Sequence, residues 1–369
     1  MTTSAGMRSL AITFPGGLKT NDHWVRKYPD MVEMAVDKKN VWSNPKADGA
    51  SAEQSAFGAE MLKYIDDPFR GAKERRVLLP NENALTIETR AADMAIEAAG
   101  ISRSDIDLVL STSFFTDLMG VGNATFIAGK LGLSCAAWNL ETACSGALAI
   151  FETACALVRA GQYRTVLCVV SCTYSRSIDE NDTMALLSGD GAGAFVVGET
   201  PAGEGLIASS MFHSANTCDA FLFDVIDDVP RGTQAVRLRS SKGAGRIIRE
   251  TSEAALRNVT QAALRKADLG ISDIAWFVVN TPTAWYTSFC ARVLGFDLAR
   301  SVNTFPRYAN CGPALMPVNL YTAAVELPIR RGDLVLIHTV GSVSSSGTAI
   351  VRWGDVGLGP PPAPAVVTF

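Results

Sequence analysis

The sequence predicts an α/β protein made of two duplicated halves, and three ordered echoes along the chain carry that prediction. Gly100-Ile101-Ser102-Arg103-Ser104-Asp105-Ile106, before the apolar run Leu108-Val109-Leu110, returns as Gly270-Ile271-Ser272-Asp273-Ile274 before Trp276-Phe277-Val278-Val279. Arg159-Ala160-Gly161, before Val166-Leu167-Cys168-Val169, returns as Arg331-Gly332 before Leu334-Val335-Leu336-Ile337. Gly193-Ala194-Phe195-Val196 returns as Gly347-Thr348-Ala349-Ile350. One helix–glycine–strand echo carries little, because the pattern is common. Three in one order point to duplication, with halves at 1–200 and 201–369.

Along the chain, Leu10 to Phe14 reads as a strand that ends at Pro15-Gly16-Gly17. Lys38 to Ala52, rich in Asn, Lys, Ser and Gly, reads as a surface insertion. Ala84 to Ala99 has apolar residues at helical spacing and stops at Gly100, and Ile106 to Leu110 follows as a buried strand. From Gly359 the run Pro360-Pro361-Pro362-Ala363-Pro364 excludes helix and central strand, which leaves an extended tail.

Composition removes several function classes. A chain of 369 residues, 48% hydrophobic, buries a large core. The net charge of −4 and the lack of a basic block argue against a nucleic-acid partner. The apolar stretches are too short to span a bilayer, and Met1 to Gly17 lacks the pattern of a secretory signal. Eight cysteines without paired metal-ligand spacing fit a reducing, cytoplasmic setting, with no metal or cofactor expected.

The most informative segment is Ala136-Ala137-Trp138-Asn139-Leu140-Glu141-Thr142-Ala143-Cys144-Ser145-Gly146. A strand ends near Leu140, and a helix begins around Cys144 and continues through Leu148, Phe151, Cys155 and Val158. At that junction unpaired backbone N–H groups and the helix dipole favour a thiolate. Small neighbours let an acyl chain and the backbone approach closely. A core cysteine is the bland alternative for any thiol in so apolar a segment.

Here the chain resembles the ketoacyl synthase III family of the thiolase superfamily. Thr142-Ala143-Cys144-Ser145-Gly146 is similar to the family's nucleophile motif, and Gly189-Asp190-Gly191-Ala192-Gly193-Ala194 to its glycine-rich loop and strand. Lys73-Glu74-Arg75-Arg76-Val77 resembles its Arg-Glu-Arg segment, and Arg307-Tyr308-Ala309-Asn310 the segment with the catalytic asparagine. Gly341 to Trp353 resembles the oxyanion loop and last strand. The resemblance implies a thiolase-like fold, two α/β halves layered α-β-α-β-α. It also implies Cys144 as acyl carrier and Asn310 as a catalytic partner, with the amides of Cys144 and Ser342 as the oxyanion hole. The glycine-rich loop reads as a structural turn, since no phosphate-binding pattern opens a helix there.

The departures from the family bear on the reaction. Ketoacyl-forming relatives use Cys, His and Asn, and here Thr281, within Val279-Asn280-Thr281-Pro282, stands at the histidine position. A threonine carries no proton as imidazole does. The chain has three histidines: His23 reads as exposed, His213 as structural, and His338, just before Gly341-Ser342, as a candidate base or a satisfied buried ring. Ile65 and Phe69 stand where relatives clamp the adenine of coenzyme A, and Thr183 replaces a second arginine, with Arg70 as a substitute by a shifted pose. The implied function is transfer of an acyl group from a carrier-protein or coenzyme A thioester, through Cys144, to an oxygen or nitrogen nucleophile in secondary metabolism. The alternatives are a decarboxylating ketosynthase and a non-catalytic partner subunit. The resemblance further implies a homodimer, with Leu118 and Met119 bordering the partner's substrate pocket.

Overall fold

The computed structural model describes residues 4–37, 55–118, 120–228, 233–342 and 344–368. The expected insertion at 38–52 and Met119 lie outside them. The first sheet has six strands. In spatial order they are β14 (Gly357–Leu358), β1 (Ser4–Thr13), β7 (Asp190–Thr200), β6 (Thr165–Thr173), β4 (Leu108–Phe114) and β5 (Ala136–Asn139). The second has four: β11 (Trp276–Val279), β12 (Leu334–Gly341), β13 (Ser345–Arg352) and β8 (Gly205–His213).

Pairing direction makes the duplication explicit. In the first sheet β4 and β6 are parallel, β6 and β7 antiparallel, and β7 and β1 antiparallel. In the second, β11 and β12 are parallel, β12 and β13 antiparallel, and β13 and β8 antiparallel. Each sequence echo thus marks one strand pair of a common unit. The Ser102 and Gly270 phrases even form the same short 3₁₀ turn, each closed by an aspartate that accepts its backbone N–H, Asp105 and Asp273.

The sheets are covered in layers. Between them lie the helices Gly146–Arg159 and Leu315–Glu326, whose Leu148, Phe151, Leu315 and Val318 share one core with Leu10 and Ile12 of β1 and Val335 and Ile337 of β12. That middle layer is buried on both sides, which is why both helices are apolar nearly all round. The outer face of the first sheet is covered by Ala84–Ala98 and Ala124–Leu131, through Ile87, Ala91 and Ile127. The outer face of the second is covered by Ala244–Ala267 and Tyr286–Leu294, through Leu256, Ala263 and Phe289. The result is the layered thiolase-like α-β-α-β-α arrangement.

Two smaller sheets complete the fold. The β9 (Phe221–Asp228) and β10 (Thr233–Ser240) hairpin forms its own sheet, with Phe223 packed against Phe114 at the end of β4, ring centroids 4.8 Å apart. β2 (Gly17–Thr20) pairs with β3 (Glu74–Val77), and the tail returns to join them: Val366–Val367, strand β15, lies parallel to β2. The tail is extended, as its prolines require, and it is tied down. Tyr321 donates its hydroxyl proton to Gly359 O at 2.8 Å, and Arg76 donates to Ala363 O at 2.9 Å. No helix among the described residues is long and apolar enough to cross a membrane.

Candidate active site

The site forms where the parallel strands β4, β5 and β6 end, since loops leaving the carboxyl ends of such strands converge. After β5, Leu140 stays tied to β4: its N–H donates to Ser111 O at 2.9 Å, and Thr112 donates to its carbonyl at 2.6 Å. The chain then turns sharply through Ala143, whose φ of +53° is uncommon for a residue with a side chain, and enters the Gly146 helix. A Cβ at Gly146 would collide with Thr112, so only glycine lets the helix start this close to β4.

Cys144 is buried at that turn, and the backbone N–H groups of Ser342 and of Cys144 itself are directed at its sulfur. Ser342 reaches this place because β12 ends against the turn, and Ser342 has a φ of +48°. The expectation of a ready thiolate is corrected here. Burial outweighs the bonds from Tyr174 and the two amides, and pushes the Cys144 thiol up to about 11. About one molecule in 10⁴ then holds a thiolate at pH 7. Alkylation of Cys144 by iodoacetamide should therefore rise about tenfold per pH unit from pH 7 to 10, where an ordinary cysteine levels off near 8.5. Peptide mass spectrometry reads this out, and a plateau near neutrality would contradict the burial argument.

A cavity of roughly 820 Å³, part of it open to solvent, has Cys144 in its wall. Tyr174, Thr283, Asn310 and Ser342 are among its polar lining residues, and Phe57, Phe221, Leu238 and Ile248 among the apolar ones. Asn310 is strapped to the glycine-rich segment. Its N–H donates to Leu187 O, its carbonyl accepts from Gly189 N–H, and its Oδ1 accepts from Gly312 N–H, each at 2.9 Å. Gly189 permits this, because a Cβ there would lie 2.5 Å from Tyr308 O. Asp190 is fully buried and accepts from the N–H groups of Leu78 and Ser175 at 2.9 Å. Burial raises its carboxyl to about 6. The glycine-rich run thus opens strand β7.

Of the expected site residues, Cys144, Asn310 and Ser342 meet at one cavity. Thr281 does not line it: its hydroxyl lies 3.3 Å from Thr304 Oγ1 and accepts from Asn319 Nδ2 at 3.2 Å. The threonine facing the cavity is Thr283, buried and with its hydroxyl unpaired among the described residues. His338 does not line it either. Strand alternation puts His338 on the face of Leu334 and Leu336, against the outer helix, where Nε2 lies 3.3 Å from Tyr286 Oη and Nδ1 3.1 Å from Thr348 Oγ1. Burial lowers its imidazole to about 3, so the ring stays neutral and accepts a proton only weakly, and it lies away from the cavity.

Other expectations also change. His23 is buried, not exposed, and its Nε2 lies 2.9 Å from a Glu180 oxygen. Arg70 is buried and donates to the carbonyls of Tyr64 and Asp67 at 3.0 and 2.9 Å, so it cannot swing out to hold an adenine. Ile65 and Phe69 are core residues. Leu118 is 47% exposed. Sequence reasoning missed Tyr174, whose hydroxyl lies 3.8 Å from Cys144 Sγ, and Thr283. The one signal for Tyr174 was its place directly after β6, a parallel neighbour of β4.

Comparison with known proteins agrees with this architecture. Residues 138–216 match the family model for 3-oxoacyl-(acyl-carrier-protein) synthase III, and residues 264–353 match the model of its C-terminal part. A β-ketoacyl-acyl-carrier-protein synthase III of Rhizorhabdus wittichii is 31% identical over 315 residues, covering 82% of this chain and 97% of the relative. Another, from Brucella anthropi, is 32% identical over 291 residues, covering 77% and 88%. Among solved structures, the Thermus thermophilus synthase III has a TM-score of 0.72 at 26% identity, covering 95% of this chain and 99% of that one. A variant of OleA from Xanthomonas campestris reaches 0.76 over 96% and 99%, and at 18% identity it speaks for the fold alone. With nearly full-length relatives and a doubled, layered fold, this chain belongs to the ketoacyl-acyl-carrier-protein synthase III family.

Proposed function

We propose that the chain is an acyltransferase that accepts an acyl group on Cys144 and passes it to an oxygen or nitrogen nucleophile of a small molecule. The observation that carries this reading is the cavity wall. A thiol faces two backbone amides with Asn310 beside it, and none of the three histidines lines the space. Acyl transfer needs the thiol, an oxyanion hole and a nucleophilic acceptor. Decarboxylative condensation needs a second donor on the enolate, supplied by imidazole in ketoacyl-forming relatives. The names of the curated relatives favour that second reading, C–C bond formation.

A carrier-protein thioester suits the donor side better than free coenzyme A. The clamp positions are core residues and Arg70 is tied down, whereas the apolar lining from Phe57, Phe221 and Ile248 suits a pantetheine arm. A homodimer is part of the proposal, supported by exposed Leu118, Val121 and Trp138 near the edge strand β5. A role in secondary metabolism fits a family member without the condensing imidazole. Incubation with an acyl-carrier thioester should add the acyl mass to Cys144, and Cys144→Ala should take up none. An unmodified cysteine, with turnover unchanged in the alanine variant, would end the proposal.

A further inference from the structure

Two cavities share part of their lining near the nucleophile. The first is the apolar one described above. The second, roughly 750 Å³ and also open to solvent, has polar walls that include Lys19, Arg176, Asp179, Glu180 and Arg237. Tyr174 and Ser188 line both. The Tyr174 hydroxyl is the one side-chain hydrogen-bonding group recorded at Cys144 Sγ among the described residues. Its ring is held edge-on to Phe114, with centroids 5.6 Å apart. Buried beside three cysteines, the phenol is held well above its usual range and stays neutral.

The charged groups of the second cavity are each bonded to an opposite charge, with one positive charge in excess because Glu180 holds two lysines. Glu180 is bonded to Lys19, His23, Lys27 and Tyr28. Asp179 pairs with Arg237 at 3.0 Å, and Arg176 pairs with Asp117. Such a wall is polar, and its charged groups already hold partners, which suits a molecule that binds through hydroxyl hydrogen bonds.

We infer that the second cavity admits the acyl acceptor, a polar molecule bearing a hydroxyl, and that Tyr174 is a catalytic residue relaying the acceptor's proton to sulfur. The inference rests on the acyltransferase reading. The acceptor oxygen attacks the carbonyl carbon of the Cys144 thioester beneath the amides of Cys144 and Ser342. The C–O bond forms and the C–S bond breaks. The acceptor's proton passes to the Tyr174 oxygen while the phenol's own proton passes to the departing sulfur, leaving an ester and a Cys144 thiol. Neither partner needs to ionise, so the scheme works with a buried neutral phenol and without an imidazole.

Acetyl pantetheine as donor and molar glycerol as acceptor test this. Loading and discharge of Cys144 are followed separately by intact-protein mass spectrometry. Tyr174→Phe should load within about threefold of the native rate and discharge to glycerol at least tenfold more slowly, in line with the usual worth of proton transfer. Asp179→Trp, placed at the rim of the second cavity alone, should slow glycerol-dependent discharge and spare loading. Equal losses of loading and discharge in Tyr174→Phe would reduce the residue to packing and overturn the inference. So would native discharge in either variant. Native protein that never acquires an acetyl group would instead end the acyltransferase reading itself.

Discussion

Gly341→Ala should lower the rate of Cys144 acylation about 10²–10³-fold in a protein that still folds. The glycine closes the distance between β12 and the nucleophile turn. A methyl group there would lie 2.7 Å from the backbone nitrogen of Ser145, 3.0 Å from that of Cys144 and 2.7 Å from Ser345 Oγ. Two of those neighbours are backbone of the turn that presents the sulfur, so relief requires moving either Cys144 or Ser342. The next residue, Ser342, is already in the left-handed region at +48°, which leaves little freedom to adjust. Displacing one oxyanion donor accounts for the expected loss. Single-turnover acylation with an acyl pantetheine measures it, and circular dichroism checks the fold. Gly129→Ala, in the Ala124–Leu131 helix with nothing within 4 Å, serves as the control and should leave acylation unchanged. Equal rates in both variants would mean that the amides of Cys144 and Ser342 do not hold the oxyanion.

Much of this architecture was legible in the residues. The change from a strand into a long apolar helical pattern located the Cys144 junction, and the ordered echoes located the strands that the structure pairs in equivalent ways. Asn310 was reachable through its motif. Thr281 and Thr283 were harder to separate, because the direction of each side chain depends on how the end of β11 is anchored. Asn280 donates through Nδ2 to Val340 O at 2.8 Å and accepts from Val340 N–H at 3.0 Å. That double bond to β12 is long-range, and no local pattern encodes it. His338 is a different case, since period-two alternation along Leu334, Leu336 and His338 already assigned it to the outer face. Its nearness in sequence to Ser342 was misleading because β12 runs on to Gly341. Tyr174 depends on two chain segments thirty positions apart converging at strand ends, as its bond to Cys144 shows. The tail's return to β2 was equally hidden, since two exposed valines fix it only by pairing with a strand from the other end of the chain.

Release of CO₂ from a malonyl thioester is the measurement that tests the central claim most directly. Condensation would require the enolate oxygen to receive two preorganised donors. Asn310 faces the cavity, but no imidazole does. Thr281 is turned to Thr304 and Asn319, His338 lies behind Tyr286, and the free hydroxyl that remains there among the described residues, that of Thr283, is a weaker donor. Loss of one such donor costs about 10²–10³ in rate. With acylated Cys144 and malonyl pantetheine present together, labelled CO₂ should appear at least about 100-fold more slowly than acyl groups load onto the cysteine. Acyl groups should meanwhile leave Cys144 for a hydroxyl acceptor. CO₂ released in step with Cys144 loading, together with a product longer by the condensed unit, would contradict the account and make the protein a ketosynthase with a remodelled donor set.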